Sequence, residues 1–301
     1  MSMSSSKPRD QDPLAPHRGR LTGLAYRMLG SRSDAEDVVQ DAYLRFASAQ
    51  DVQNPEAFLV TIVTRLCLDR LKSAKAQREV YVGSWLPEPV FDAEDLSADR
   101  ATELADDLSF ALLLALDRLS PLERAAFLLH DVFDTPFADV ARMLDRSEAA
   151  CRQLAARARR AVRDQRPTPA APPENHARLL QAFAEAAASG DVSRLAGLLR
   201  EDALLIADSG GHKAAPRNQI FGAEKVARFF VGVANKNAGR DIRMVPMMIN
   251  GTAGALIYLD GEIDFTTSIA IDGEKIAAIY LVRNPDKLRH APPAWPGERL
   301  S

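Results

Sequence analysis

Apolar residues recur at intervals of three and four from the first turn of pattern onward: Leu21, Leu24, Ala25, Met28 and Leu29, and then, past Gly30, Ala35, Val38, Val39, Ala42, Tyr43 and Phe46. That spacing predicts two amphipathic helices parted by a glycine break. Ser33 or Asp34 is placed to cap the second, with acids in its first turn where the helix dipole favours negative charge. Asn54-Pro55 predicts a third helix, carried on by Phe58, Ile62, Leu66 and Leu71. The period lapses around Trp85-Leu86-Pro87-Glu88-Pro89, which reads as a linker, and resumes over 103–119. Ser120-Pro121 then opens a helix to Phe133, Pro136 opens one ending at Leu144, Asp145-Arg146 makes a turn, and Ser147 caps a long helix.

Four prolines, Pro167, Pro169, Pro172 and Pro173, predict a semi-rigid spacer. Beyond it come two helices over 176–188 and 191–200, a short strand at 203–207 and a helix over 222–236. The period then shifts to that of strands, punctuated by Asn250-Gly251, Asp260-Gly261 and Asp272-Gly273, dipeptides suited to tight hairpins. The expected fold is multidomain: two all-α domains, then an α+β domain whose four-strand meander forms a curved antiparallel sheet. The division is a disordered 1–17, helical 18–80, a linker over 81–102, helical 103–165, a spacer over 166–175, the α+β domain over 176–290 and a tail over 291–301.

At 301 residues, with 47% hydrophobic and 26% charged residues, each unit can bury a core, and wholesale disorder is excluded. No apolar run approaches the ~18 residues of a membrane span, and the opening MSMSSSKPRDQDP lacks the apolar stretch of a secretory signal, so the expected compartment is the cytoplasm with no membrane partner. Two cysteines, Cys67 and Cys151, make neither a disulfide framework nor a zinc site.

The net charge of −3 conceals segregation. Residues 65–78 carry +4, residues 86–109 carry −7 and residues 146–163 carry +5. One charge run is ordinarily a solvated helix face; two basic runs on helices, one in a helix-turn-helix pattern, point to a polyanion. In that pattern Ala138, Ala141 and Ala149 are small where two helices meet, and Ser147, Glu148, Ala149, Ala150, Arg152 and Gln153 begin the second helix, with Arg157 and Arg160 following. The first of these suit major-groove base edges, the later arginines phosphates. In the last unit, Asp208, His212, Tyr258 and Asp264 are acid or base candidates, but no spacing binds them into a set, and neither a phosphate-binding glycine loop nor a nucleophile motif occurs. No enzyme activity, metal or cofactor is expected.

The run from Asp34 to Phe46, with Asn54-Pro55-Glu56-Ala57-Phe58-Leu59 and Leu68-Asp69-Arg70-Leu71-Lys72, resembles region 2 of extracytoplasmic-function (ECF) sigma factors, and Leu119-Ser120-Pro121-Leu122-Glu123-Arg124 leading into the helix-turn-helix resembles their region 4. The linker segment Trp85 to Pro89, the segment Asp208-Ser209-Gly210-Gly211-His212-Lys213 and the segment Asn284-Pro285-Asp286-Lys287-Leu288 are similar to signature segments of the SigJ-like branch, whose C-terminal domain is SnoaL-like with the cone-shaped NTF2 fold. The resemblance implies a promoter-specificity subunit of bacterial RNA polymerase, with core polymerase (clamp and flap) and promoter DNA as partners and no conventional anti-sigma factor. It implies clamp contact through Asp37, Gln40, Asp41 and Arg45, −10 recognition through Asn54, Thr61, Thr64, Arg65, Lys72 and Lys75, and −35 recognition through the residues from Ser147 to Arg160 named above. Trp85, Leu86, Pro87, Glu88, Pro89, Asp208, Gly210, Gly211, Lys213, Asn284, Pro285, Asp286, Lys287 and Leu288 are the implied regulatory contacts. Arg65 stands where many members have Asn, and Asp145 where Gly is usual in the turn. The alternatives are a helix-turn-helix regulator sensing a small molecule in its C-terminal domain, and an enzyme fused to a DNA-binding module.

Overall fold

The structure, a computed structural model, describes residues 15–79, 81–91, 108–165 and 173–292. A 3-10 turn, Ala15–His17, leads into α1 (Arg18–Leu29), so the end of the expected disordered start is instead structured. Gly30 terminates α1 with φ +73, and α2 (Arg32–Ala47) follows at once. The cap of α2 is Ser31, whose hydroxyl accepts from the Asp34 amide at 3.2 Å, not Ser33 or Asp34 as expected, because left-handed Gly30 alone makes the break and α2 starts two residues after it. Asn54 caps α3 (Pro55–Glu79) as predicted, accepting from the Ala57 amide at 3.0 Å.

After the linker come α4 (Phe110–Asp117) and α5 (Pro121–Phe127); the predicted start of α4 at 103–107 lies outside the described residues. A capping box between Ser120 and Glu123 opens α5, and the helix does not stay α to Phe133 as expected: its last turn, Leu128–Val132, is π-helical. α6 (Phe137–Leu144) ends on Asp145 in the left-handed conformation, φ 53 and ψ 55, so the aspartate does there what glycine usually does, and α7 (Glu148–Gln165) follows. One continuous core joins α1–α3 to α4–α7, from Leu21 through Val63 and Leu116 to Val162.

The C-terminal domain holds α8 (Pro173–Ser189), α9 (Val192–Leu198), β1 (Leu199–Asp208), β2 (Ile220–Phe221), α10 (Ala223–Lys236) and the meander β3 (Ile242–Ile249), β4 (Thr252–Leu259), β5 (Glu262–Asp272) and β6 (Lys275–Val282). The six strands run β2-β1-β6-β5-β4-β3. The meander β3–β6 is antiparallel as expected, but the whole sheet is mixed, because β1 enters from the helices and lies parallel to β6, Asp208 opposite Val282. Its two faces are both covered. Leu205, Ala207, Ile279 and Leu281 pack under the helices, whereas the alternating Ile206, Ala278, Tyr280 and Val282 join Leu86 of the linker, Phe110 of α4 and Leu288 in a separate core. The C-terminal domain is thus fused by apolar packing to the linker and to the second helical unit.

Candidate functional site

The α6–α7 pair presents its predicted DNA-reading residues to solvent. Ser147, Glu148, Ala149, Arg152, Gln153, Arg157 and Arg160 are exposed and Ala150 half-buried, while Cys151, Ala155 and Ala158 turn into the core. Ser147 caps the helix, accepting from the Ala150 amide at 3.2 Å. Arg152 is already ordered: Glu148 holds it at 2.7 Å and it lies over the Phe137 ring at 5.0 Å. Arg157 is paired with Glu123 at 2.7 Å, and this arginine, with the Ser120 hydroxyl, holds the Glu123 carboxyl below its ordinary pKa.

The face of α3 assigned to the −10 element is in a different state. Asn54 and Lys72 are exposed, but Lys72 is paired with Asp69 at 2.8 Å, and the Thr61 hydroxyl is turned back to the Ala57 carbonyl. Arg65 donates from Nε to the Met143 carbonyl of α6 at 3.4 Å. Thr64 does not face outward as its implied role requires: it is 1% exposed, because α5 and α6 pack on α3, and its hydroxyl has no hydrogen-bond partner among the described residues. The side chain of Lys75 lies outside the described residues. Arg20 and Arg27 reinforce the same contact from α1, each over the Phe133 ring, at 5.6 and 5.8 Å, and Arg20 also donates to the Phe133 carbonyl at 2.9 Å.

A buried, unpartnered hydroxyl costs about 1–3 kcal/mol relative to one that water can reach. Thr64→Val is therefore expected to stabilise the compact arrangement by about 1 kcal/mol. The readout is a urea midpoint that rises with unchanged slope; a lower midpoint would show that Thr64 is not buried in solution.

On α2, Asp37, Gln40, Asp41 and Arg45 lie on one exposed face with Leu44, which is 65% exposed. Arg70 of α3 sits beneath the acids, 3.2 Å from Asp34 and 3.9 Å from both Asp37 and Asp41.

The signature segments meet at one joint, and the parallel pairing of β1 with β6 is the reason. Because both strands point the same way, the loop after Asp208 and the turn after Val282 leave the same end of the sheet side by side. Asp208 is fully buried there and accepts from the Tyr81 hydroxyl at 2.6 Å, the Leu86 amide at 2.8 Å, the Gly210 amide at 3.0 Å and Lys287 Nζ at 2.7 Å. Lys287 also donates to the Leu86 carbonyl and stands 4.5 Å from the Trp85 ring centre. Burial first, and then the bond to Asp208, push the Tyr81 phenol well above its usual pKa, so it remains a donor; Asn284 Nδ2 donates to its oxygen at 2.9 Å. Gly210 is at φ +58, and a Cβ there would overlap the Asn284 amide, which is why this strap must begin with glycine.

Further along the linker, Leu86, Pro87, Glu88, Pro89 and Val90 are all buried. The Glu88 carboxylate sits at the start of α2, accepting from the Arg32 amide at 2.8 Å and the Ser31 hydroxyl at 3.2 Å, and the Glu88 amide donates to the Gly30 carbonyl at 2.8 Å. Trp85 covers Gly30 so closely that a Cβ would lie 2.6 Å from its ring.

Three of the implied contacts fall elsewhere. Lys213 does not reach the linker; its three donors go to Asp264 Oδ1 and to the Ile263 and Asp264 carbonyls, within the C-terminal domain. Asp286 pairs with His212 at 3.3 Å and with Arg289, and Pro285 is an exposed residue of a 3-10 turn. Gly211 backs onto Val82 of the linker and Leu288 is buried with Leu86, as a joint requires. The acid and base candidates do not converge: Asp208 is in the joint, His212 on Asp286, Asp264 between Lys213 and Arg283, and Tyr258 on β4. Among the described residues no three potential metal ligands cluster.

Asn250 is the contact the sequence did not betray. It heads the β3–β4 turn at φ 53, 1% exposed. Its Oδ1 accepts from the Val90 amide at 3.0 Å, its own amide donates to the Val90 carbonyl at 2.8 Å, and its Nδ2 donates to the Tyr26 hydroxyl at 2.7 Å and to the Leu108 carbonyl at 3.0 Å. Tyr26 in turn donates to the Glu88 carbonyl at 2.7 Å. One side chain therefore ties α1, the linker and the approach to α4. Asn-Gly reads as a turn and nothing more; the usable signal was β6, Ile276-Ala277-Ala278-Ile279-Tyr280-Leu281-Val282, an unbroken apolar run that requires cover on both faces of its sheet.

Known proteins agree with this architecture. Residues 14–77 match the Sigma-70 region 2 model and residues 109–162 the Sigma-70 region 4 model. The chain is 40% identical over 288 residues to the ECF RNA polymerase sigma factor SigJ of Mycobacterium tuberculosis, covering 91% of this chain and 92% of that one. It is 31% identical over 276 residues to the probable ECF RNA polymerase sigma factor SigI of the same species, covering 90% and 92%. The crystal structure of Mycobacterium tuberculosis SigJ superposes with a TM-score of 0.72 at 34% identity, over 93% of this chain and 98% of that one. No described helix is long and apolar enough to cross a membrane. With both sigma regions in order, and relatives alike over nearly their whole length, the chain belongs to the extracytoplasmic-function sigma factors, the non-enzymatic family that binds core RNA polymerase and directs it to promoters.

Proposed function

We propose that the structure is the resting form of this sigma factor, held shut in cis by its C-terminal domain. The observation that carries the reading is Asn250, a C-terminal residue hydrogen-bonded at once to Tyr26 of the first helical unit, Val90 of the linker and Leu108 of the second. Promoter elements centred about 25 base pairs apart span roughly 85 Å at 3.4 Å per pair. Units in contact through Arg65 and Met143 do not read both ends of such a site, so opening precedes initiation. The place of an external anti-sigma factor is taken by the tethered domain.

Residue roles follow the exposed faces of α2 and α7 and, for the −10 element, the family likeness of α3. Glu148, Ala149, Arg152 and Gln153 read the −35 element while Arg157 and Arg160 meet phosphates; Asn54, Thr61, Thr64, Arg65, Lys72 and Lys75 serve the −10 element after opening; Asp37, Gln40, Asp41 and Arg45 meet the polymerase clamp, with the second helical unit toward the flap. The acid-rich α2 face repels phosphates and suits a basic protein surface. In the free chain the −35 face is accessible, whereas on the −10 face Asn54, Arg65 and Lys72 are exposed but Thr64 is buried and Arg65 is engaged by the Met143 carbonyl. Anisotropy with the full chain is expected to show binding to a −35 duplex, and binding to a −10 fork only once core polymerase is added. Arg152→Ala is expected to cost about 1–3 kcal/mol at one base-pair position, whereas Arg160→Ala weakens every sequence alike and flattens the salt slope. Tight −10 binding by the free chain would overturn the resting-form reading, and equal affinities of Arg152→Ala and its parent for every −35 variant would overturn the assignment of α7.

A further inference from the structure

We infer that the joint contains a binding site for a small oxyanion, a phosphate- or carboxylate-bearing metabolite, whose occupancy strengthens the closed form. The inference rests on the resting-form reading and adds a ligand to it. A cavity of about 320 Å³ lies between the linker at Val82 and Gly83 and the C-terminal loop that runs from Ser209 to Arg217. That volume falls in the range of small-molecule sites. The two walls approach closely: a Cβ on Gly83 would lie 3.7 Å from Arg217 Cα, and one on Gly211 3.2 Å from Val82.

The lining sets the ligand's charge. Among the described residues it includes Lys213, Arg217 and His212 and no acid, while Asp286 meets His212 from outside the lining at 3.3 Å, so His212 is not counted toward the charge. Asp264, the carboxylate behind the wall, is shared by Lys213 at 3.0 Å and Arg283 at 2.9 Å, so one positive charge is left uncompensated there. Lys213 spends its donors on that carboxylate and two carbonyls and contributes field rather than contacts. Arg217 is exposed and has no ion-pair partner among the described residues, which leaves its planar fork for two parallel bonds to an oxyanion. A ligand touching both walls binds the closed form and not the open one, and so shifts the balance toward closure by mass action.

The test uses the full chain carrying Trp295→Phe, so that Trp85 alone reports on the joint. Sodium pyrophosphate and sodium citrate are titrated at ionic strength matched with chloride, following heat release and Trp85 fluorescence. Saturable binding of either probe is expected, pyrophosphate alone marking a phosphate ligand and citrate alone a carboxylate one. Arg217→Gln, an exposed position that the fold does not need, is expected to weaken it at least tenfold, and Arg240→Gln, on the Asp260 turn of the same domain, to leave it unchanged. Binding no better than chloride, or equal in parent and Arg217→Gln, overturns the site. Failure of the resting-form reading shows separately: Trp85 fluorescence unaltered by Asp208→Asn without any probe overturns that reading and not the site.

Discussion

Asp208→Asn is expected to open the molecule. The carboxylate is fully buried and receives four donors, among them Lys287, whose side chain is 14% exposed. An amide keeps one oxygen but turns an NH2 toward groups that are themselves donors, and it leaves the ammonium without its counter-charge. Removing one partner of a buried pair costs about 3–5 kcal/mol. The closed-to-open ratio should therefore fall at least a hundredfold, since each 1.4 kcal/mol is a factor of ten. Small-angle scattering should show a larger radius of gyration, and transcription with core polymerase at matched protein levels should rise. Unchanged scattering together with unchanged transcription would mean that the joint does not restrain the sigma units. Lys287→Met is the companion from the other side of the pair: it leaves the fully buried Asp208 carboxylate with three donors and no counter-charge, and is expected to open the chain to a similar extent.

Asn250→Ala should act as strongly from the other side of the domain. It removes three side-chain hydrogen bonds, leaves the Val90 amide and the Leu108 carbonyl buried without them, and places alanine at φ 53. Each stranded group costs about 1–3 kcal/mol and the left-handed backbone about 1–2 more. Asn250→Gly removes the same bonds without the backbone strain, so the difference between the two isolates the strain. The readout is hydrogen exchange at the Val90 amide, expected to become fast in both variants while the β4–β5 amides stay protected. Continued protection of Val90 would show that the tie to Asn250 is dispensable.

The helical units were legible because their information is local. Ser120-Pro121, Asn54-Pro55 and Asp145 between two apolar periods each set a helix end within a few residues of chain, and the structure uses all three as read. The hairpins were equally local, with Asn250, Gly251, Asp260 and Gly261 all at positive φ. What escaped was long-range. The parallel seating of β1 on β6 joins residues about 75 apart, and no periodicity reports which strand a neighbour will be. Thr64 reads as exposed from its own helix, and only the arrival of α5 and α6 buries it. Likeness to a motif groups Lys213 with the regulatory contacts; Asp264, 51 residues away, claims it instead.

The position of Lys287 and Asn284 after the last strand fixes an order of events in synthesis. Helical units are complete by Gln165, whereas the two residues that close on Asp208 and Tyr81 come about 120 residues later. At about 5–20 residues per second, a ribosome leaves an interval on the order of 10 s between them. During that interval the nascent chain holds both sigma regions and no lock. On the resting-form reading, each chain therefore passes through an unrestrained interval during its own synthesis, and a stop codon anywhere in β6 is expected to leave the truncated chain in that condition.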